Sequence, residues 1–214
     1  MTQGKLSKLL DELKYPDEEA RDYIGASSIG SDCLRQIWYE FKGYKGADVP
    51  SKLRRSWEAG RRLELMLIDL LKLAGIEFES FQEDLFSISH PYFRGHFDGL
   101  MKKPRAILEI KTAKDASFNV LVKQGCKRWS IKYYSQLQSY MGLSDVHSSY
   151  ILVLNKDNSD LYDELVLFDE RYYQSLLYKA ELIYSYKEPP RRVNESPIWF
   201  TCKMCKFKGI CHTC

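Results

Sequence analysis

The chain contains no run of 18 apolar residues, and its longest greasy stretch is broken by Asp69 and Lys72, which excludes a membrane-spanning helix. Its N-terminal stretch, MTQGKLSKLLDELKYPDEEA, is charged and has no apolar core ending in small residues, so no secretory signal is expected. Internal repeats and low-complexity tracts are missing as well. Net charge is scarce: 32 Lys and Arg against 29 Asp and Glu leave +3. That excludes a binder working by bulk charge and leaves room for a local basic groove. What is present suits one ordinary globular domain, or one with a small appendage: 214 residues, 44% hydrophobic and 29% charged, which rules out wholesale disorder. A soluble, cytoplasmic protein is expected. Six cysteines in a chain of this length without a leader point to reduced thiols or thiolate ligands rather than a disulfide scaffold.

Periodicity predicts a helix over residues 5–22. A second follows a Gly/Ser stretch, with Cys33, Leu34, Ile37, Trp38 and Phe41 on one face and Ser31 or Asp32 as its cap. A third covers 57–74, burying Leu63, Met66, Leu67, Leu70 and Leu71 and ending at Gly75. Strands are expected over 77–93, 94–101 and 106–112, the last two joined by a hairpin turn at 102–105. Helices at 114–124 and 130–143, strands at 148–156 and 161–168, and a helix at 169–187 follow. Pro189, Pro190 and Pro197 then introduce a cysteine-rich tail. This order describes an α/β core with a mixed sheet. It divides into an N-terminal helical segment (1–56), a core (57–187) and the tail (188–214).

Glu109 and Lys111 stand two apart on a predicted strand, so they share a face while Leu108 and Ile110 share the other. Asp98, on the hairpin partner, can reach the Glu109 face at a similar height. Taken alone, so short a pattern also suits a solvated strand face. Two converging carboxylates beside a lysine are costly unless neutralised, and a divalent cation with oxygen ligands does this. Gly95 and Gly99 bracket Asp98, where they let the backbone bend or approach a ligand. Glu64 interrupts a leucine-rich helix face, and Gln136 and Tyr140 project together at i and i+4.

In their order, Gly60-x-x-x-Glu64, GHFDG, LEIKT and Gln136-x-x-x-Tyr140 resemble the motifs of the RecB-like branch of the PD-(D/E)XK nucleases. The resemblance implies a restriction-endonuclease-like core: a mixed central sheet flanked by helices, with the cysteine-rich tail packed against the N-terminal helical region. It makes Glu64, Asp98 and Glu109, with the Ile110 carbonyl, ligands of Mg²⁺ or Mn²⁺, and Lys111 the catalytic lysine. Gln136 and Tyr140 match a motif that positions DNA. Two departures stand out. The first-helix position, often His in the family, is Glu64, and Phe97 replaces the signature proline before Asp98.

The tail reads Cys202-x2-Cys205-x5-Cys211-x2-Cys214. Its paired spacing suits one zinc held by four tail thiolates, although the gap between pairs is short for a zinc ribbon. A second reading joins Cys202, Cys205 and Cys211 to the remote Cys33 in a four-thiolate iron–sulfur site. It is similar to the arrangement in AddB and the CRISPR-associated exonucleases, where a 4Fe–4S cluster staples both ends of the chain. Cys214 is then spare, Cys126 is ordinary, and His212 is a lesser candidate ligand. The nearest likeness is to compact phage-encoded members of the branch.

Lys52, Arg54, Arg55, Arg61 and Arg62 form one basic group, and Lys123, Lys127, Arg128 and Lys132 around Trp129 form another. Both suit a phosphate-tracking groove, with Trp129 stacking a base, and equally a solvated face. His96 is either a neighbour supporting Asp98 or a hydrogen-bonded structural histidine. The expected function is a metal-dependent DNA exonuclease of recombination, repair or phage DNA processing. Its substrate would be single-stranded or free-ended DNA, and recombination or replication proteins its partners. The competing readings are a non-catalytic DNA-binding or assembly subunit and a zinc-stapled interaction module.

Overall fold

A computed structural model of the protein describes residues 4–13, 15 and 21–213. The helix expected over 5–22 is seen as α1 (Lys5–Asp11), and its expected continuation falls largely on residues outside those described. The short strand β1 (Ile24–Gly25) runs into the single turn α2 (Ala26–Ile29) and then α3 (Leu34–Phe41). The cap position of α3 is Cys33 itself. Ser31 Oγ accepts from the Cys33 N–H at 3.3 Å, and no side chain caps the helix.

Helix α4 (Ser51–Leu73) begins six residues before its expected start. It buries Leu67 and Ile68, with Leu63 and Leu71 packed beside them, while Met66 and Leu70 stay exposed. Along Leu63–Leu71 the sheet covers one side of the helix, so the buried stripe is narrower than the leucine content suggests. Gly75, at φ +88°, ends it in the left-handed conformation that only glycine adopts without steric penalty.

The three expected strands become five: β2 (Phe78–Ser80), β3 (Asp84–Phe86), β4 (Phe93–His96), β5 (Gly99–Lys102) and β6 (Arg105–Ala113). After them come α5 (Asp115–Trp129), α6 (Ile131–Leu143), β7 (Ser148–Asn155), β8 (Leu161–Leu167), α7 (Glu170–Ser185) and two tail turns, α8 (Phe200–Lys203) and α9 (Lys208–His212). One sheet has the order β1-β4-β3 and the other β2-β5-β6-β7-β8. The segment 94–101 is therefore not one strand. The chain changes sheets at Phe97 and Asp98, and the β5–β6 hairpin begins only at Gly99 opposite Leu108. Helix α5 kinks at Gly125 (φ +74°), where the sequence pattern ends its regular part.

The five-stranded sheet is mixed: β6 pairs parallel to β7 and antiparallel to β5, and β7 pairs antiparallel to β8. The parallel pair is bridged by α5 and α6, as such a crossover requires. One sheet face (Leu108, Ile110, Leu154) lies under α4. The other (Ile107, Ile151, Val153) meets the larger core, which contains Leu137, Tyr140 and Met141 of α6. Helix α6 is buried on nearly every side, so its polar residues must find internal partners. Gln138, for example, donates to the Leu167 carbonyl at 2.9 Å and accepts from the Asp169 N–H at 2.8 Å. Leu137→Ala at the centre of α6 is expected to destabilise the fold by ~2–5 kcal/mol, read as a lowered urea midpoint.

Candidate active site

Strand β6 carries Glu109 into the larger core at 1% exposure. Lys111, two residues on, donates to its Oε1, and Gln136 of α6 donates to the same oxygen at 2.8 Å. The Gln136 amide also bonds the Tyr140 hydroxyl one turn along, so the expected i, i+4 pair does project together. Both side chains are buried behind Glu109, which makes them supports of a carboxylate rather than an exposed contact surface. Gly95 leaves the space for the Tyr140 ring. A Cβ there would stand 2.7 Å from Tyr140 Cε1 and 2.9 Å from Ala26 Cβ. Gly99 likewise admits the Phe78 ring. Internal packing, rather than approach to a ligand, accounts for the two glycines around Asp98.

Asp98 occupies the sheet-changing bend. Its Oδ2 accepts from the Ile110 N–H at 2.7 Å, which fixes the carboxyl against β6. Across the bend, Gln82 Nε2 lies 3.2 Å from Glu64 Oε1 and 3.5 Å from Asp98 Oδ1, joining α4 to the site. Gln82 adopts φ +51°, a region uncommon for residues with a side chain. Nothing in EFESFQEDLF singles out this glutamine, because its role exists only once α4 and the bend meet.

Glu64, Asp98, Glu109 and Lys111 are thus brought together as three carboxyls and one ammonium. Burial, and then the Asp98 charge, push Glu109 up to about 8 against the pull of Lys111. The same two causes push Glu64 up to about 7. Burial alone would lower Lys111, but the Glu109 and Asp98 carboxylates outweigh it and raise the ammonium above its usual range. Burial and the nearby Glu109 likewise hold Tyr140 well above a normal phenol. Among the described residues, no three Asp, Glu, His or Cys side chains are gathered closely enough to hold a metal ion as they stand. The donor set nonetheless fits a divalent cation. Carboxyls outnumber the ammonium by three to one, and Glu109 Oε2 is buried with no hydrogen-bond partner among the described residues.

The basic groups are partly engaged. Arg61 and Arg62 both bind Glu58, at 2.6 and 3.0 Å. Lys127 Nζ lies 4.6 Å from the Tyr134 ring centroid, and Arg128 is exposed. Trp129 donates to Ser117 Oγ at 2.9 Å and leans on Tyr133, whose ring centroid is 5.3 Å from Lys111 Nζ. His96 pairs with Asp84 across β3 and β4, the structural alternative for that residue.

At the start of α3, Cys33, Cys202, Cys205 and Cys211 line one pocket with Arg35, Tyr39 and His212, and all four are free thiols. Cys202 and Cys205 are raised by burial first and by the neighbouring thiols after it. Arg35 ties the tail down: it donates to the Pro190 carbonyl at 2.5 Å and stands 3.9 Å from Cys211 Sγ. Arg192 donates to the Cys211 carbonyl at 2.7 Å. Cys126 is buried elsewhere, pushed to about 12 by burial and Glu164, as an ordinary core thiol would be. Cys214 lies outside the described residues.

Compared with protein-family profiles and with curated sequences, the chain matches none. Solved structures do resemble it. An alkaline exonuclease (LHK-Exo) from Laribacter hongkongensis superposes with a TM-score of 0.61 at 12% identity, over 78% of this chain and 88% of that one. That exonuclease has also been solved in complex with dAMP. The protein SSO0001 matches over 99% of this chain and 98% of its own, with a TM-score of 0.56 and 22% identity. A phage-related exonuclease from Haemophilus somnus 129PT gives 0.54 and 15% over 70% and 77%. At these identities the likeness concerns the fold: a mixed α/β architecture, with sheets flanked by helices, shared with exonucleases.

Proposed function

We propose that this chain is a Mg²⁺- or Mn²⁺-dependent deoxyribonuclease that removes nucleotides from free or single-stranded DNA ends. The observation that carries the reading is Glu109: a buried carboxyl with one unpartnered oxygen and a pKa near 8, set beside Asp98 and Glu64. Glu64, Asp98 and Glu109, with the Ile110 carbonyl, would hold the cation. Bound there, a divalent ion supplies Lewis acidity and a more acidic water. Lys111 orients the attacking water and faces the charge that develops on the phosphate, and no covalent intermediate forms. Gln136 keeps Glu109 turned toward the site, and Tyr140 holds Gln136. The basic groups, Arg61 and Arg62 on one flank and Lys127 and Arg128 on the other, contact the DNA backbone. The shared architecture with two exonucleases, one of them solved with dAMP, supports DNA as the substrate class. Recombination, repair or phage DNA processing is the corresponding role, in the cytoplasm, with recombination or replication proteins as partners.

The second part of the reading is a 4Fe–4S cluster on Cys33, Cys202, Cys205 and Cys211. Its support is that these four free thiols, one of them remote in sequence from the other three, line one pocket. Segments 1–56, 57–187 and 188–214 would then act as one unit, with both ends closed onto each other. A zinc site would instead need Cys214 in place of Cys33.

Asp98→Ala or Lys111→Ala is expected to lower DNA cleavage on the order of 10³-fold or more while leaving folding and DNA binding in place. End-labelled strands with and without Mn²⁺ provide the assay. Full activity in either variant, or in EDTA, refutes the assignment.

The carboxyl shifts carry a pH signature. Glu109 at about 8 and Glu64 at about 7 exceed the ordinary 4.5, so between these values the metal-free fold holds protons that the unfolded chain has released. Stability from these two groups therefore falls as pH rises from about 4.5 through about 8. In EDTA, the melting temperature of Glu109→Gln should decline less than wild type over that range. Identical slopes would show that Glu109 ionises normally.

Anaerobically purified protein should be brown and contain iron and sulfide. Cys33→Ala should bleach it and lower its melting temperature, because the lost ligand couples to folding, whereas Cys214→Ala should change little. Colourless protein with one zinc, sensitive to Cys214→Ala and indifferent to Cys33→Ala, would reverse the metal assignment.

A further inference from the structure

The turn between β2 and β3 crosses from the five-stranded sheet to the three-stranded one, and the Phe97–Asp98 bend crosses back beside it. Pairing on either side of the crossing keeps one register: Ser80 lies opposite Leu100, and Asp84 opposite His96. Carried across the gap, that register sets Gln82 opposite Asp98. Phe81 anchors the turn, its ring 4.8 Å from that of Phe78 and 4.5 Å from Lys72 Nζ. Gln82 itself takes φ +51°, a conformation that residues with a side chain use sparsely and keep only where their surroundings fix it. Glycine or asparagine would meet the needs of a surface turn there without strain.

The glutamine amide sits on oxygens that a cation would use. Asp98 Oδ2 is committed to the Ile110 N–H at 2.7 Å, so Oδ1 is the oxygen left open, and Gln82 Nε2 stands 3.5 Å from it. The same nitrogen donates to Glu64 Oε1 at 3.2 Å. Both neighbours are carboxyl oxygens, so the NH₂ end of the amide faces them, and that end has donors but no lone pair with which to ligate a metal. A small divalent cation needs each oxygen at about 2.1 Å, so it and the amide nitrogen cannot both lie between these two acids. Among the described residues the carboxyls are not gathered closely enough to hold a metal ion as they stand, and Gln82 is set between two of them.

A neutral donor shared by two acids eases their repulsion without adding charge. We propose that Gln82 is a removable placeholder: its amide bridges Glu64 and Asp98 when no cation is bound, and swings toward solvent to release those oxygens when one binds. The side chain is exposed, so the amide exchanges carboxyl partners for water as it leaves. Gln82 thereby sets how tightly the site takes up metal, because the hydrogen bonds given up are subtracted from the affinity. This deepens, and rests on, the reading of Glu64 and Asp98 as cation ligands.

The test is Mn²⁺ binding without DNA at one fixed pH, read from the electron paramagnetic resonance of the free ion. Gln82→Met keeps the length of the side chain and removes its donors. It should bind Mn²⁺ about 2- to 10-fold more tightly than wild type, the worth of one ordinary hydrogen bond. In EDTA the variant should melt below wild type, because two acids have lost a donor, and in saturating Mn²⁺ the two should melt together. Affinity that is unchanged or weaker in Gln82→Met overturns the placeholder, since a side chain that merely orders the ligands would weaken binding when lost. Should the methionine variant fail to fold, Gln82→Ala decides in its place by the same comparison. Wild type that takes up no Mn²⁺ overturns the cation reading, whereas wild type that binds it with the variant no tighter overturns this inference alone.

Discussion

A carboxyl held at 1% exposure within a strand loses its water, and the neighbours of Glu109 are organised by the need to replace it. Lys111 supplies charge and Gln136 a hydrogen bond, both to the same oxygen. Tyr140 fixes Gln136, and Gly95 makes room for Tyr140 against Ala26. The support therefore extends from β6 through α6 to β4 and α2. Isolated buried ion pairs return little net stability, since desolvation offsets their attraction. An arrangement that commits four elements to one carboxyl, and still leaves its second oxygen unpartnered, is better explained by chemistry than by folding energy.

The bend at Phe97 and Asp98 serves the same end. A continuous strand through 94–101 would keep Asp98 within a regular ladder. By changing sheets, the chain buries Phe97 in the core and turns Asp98 onto the Ile110 N–H, next to Glu109. The departure also opens the approach from α4, through which Glu64 and Gln82 reach the carboxylates. One local irregularity thus joins a helix, a loop and a hairpin at a single point.

The C-terminal tail meets α3. Arg35 and Arg192 fasten the tail by its carbonyls, and the Tyr39 and Phe207 rings lie 5.3 Å apart. Trp38 donates to the Tyr186 carbonyl at 3.0 Å, binding the end of α7 to the same helix. These contacts accompany the gathering of the four free cysteines at one pocket.

Elements with a strong local signal were legible in the sequence. The alternation in LEIKT, the i, i+4 pairing of Gln136 and Tyr140, the glycine at the end of α4 and the paired cysteines of the tail all act within a few residues. The order of helices and strands around a mixed sheet follows from the same short-range periodicity. Local pattern could not disclose the sheet change at Asp98, the packing reason for Gly95, or the bridging Gln82. Each depends on what a distant segment brings into contact, Tyr140 in one case and α4 in another. Nor could the leucines of α4 reveal that Met66 and Leu70 remain exposed, because that follows from how much of the helix one sheet covers. The sequence by itself determined which side chains share a face. The tertiary structure alone decided which faces meet, because that depends on packing between segments remote in the chain.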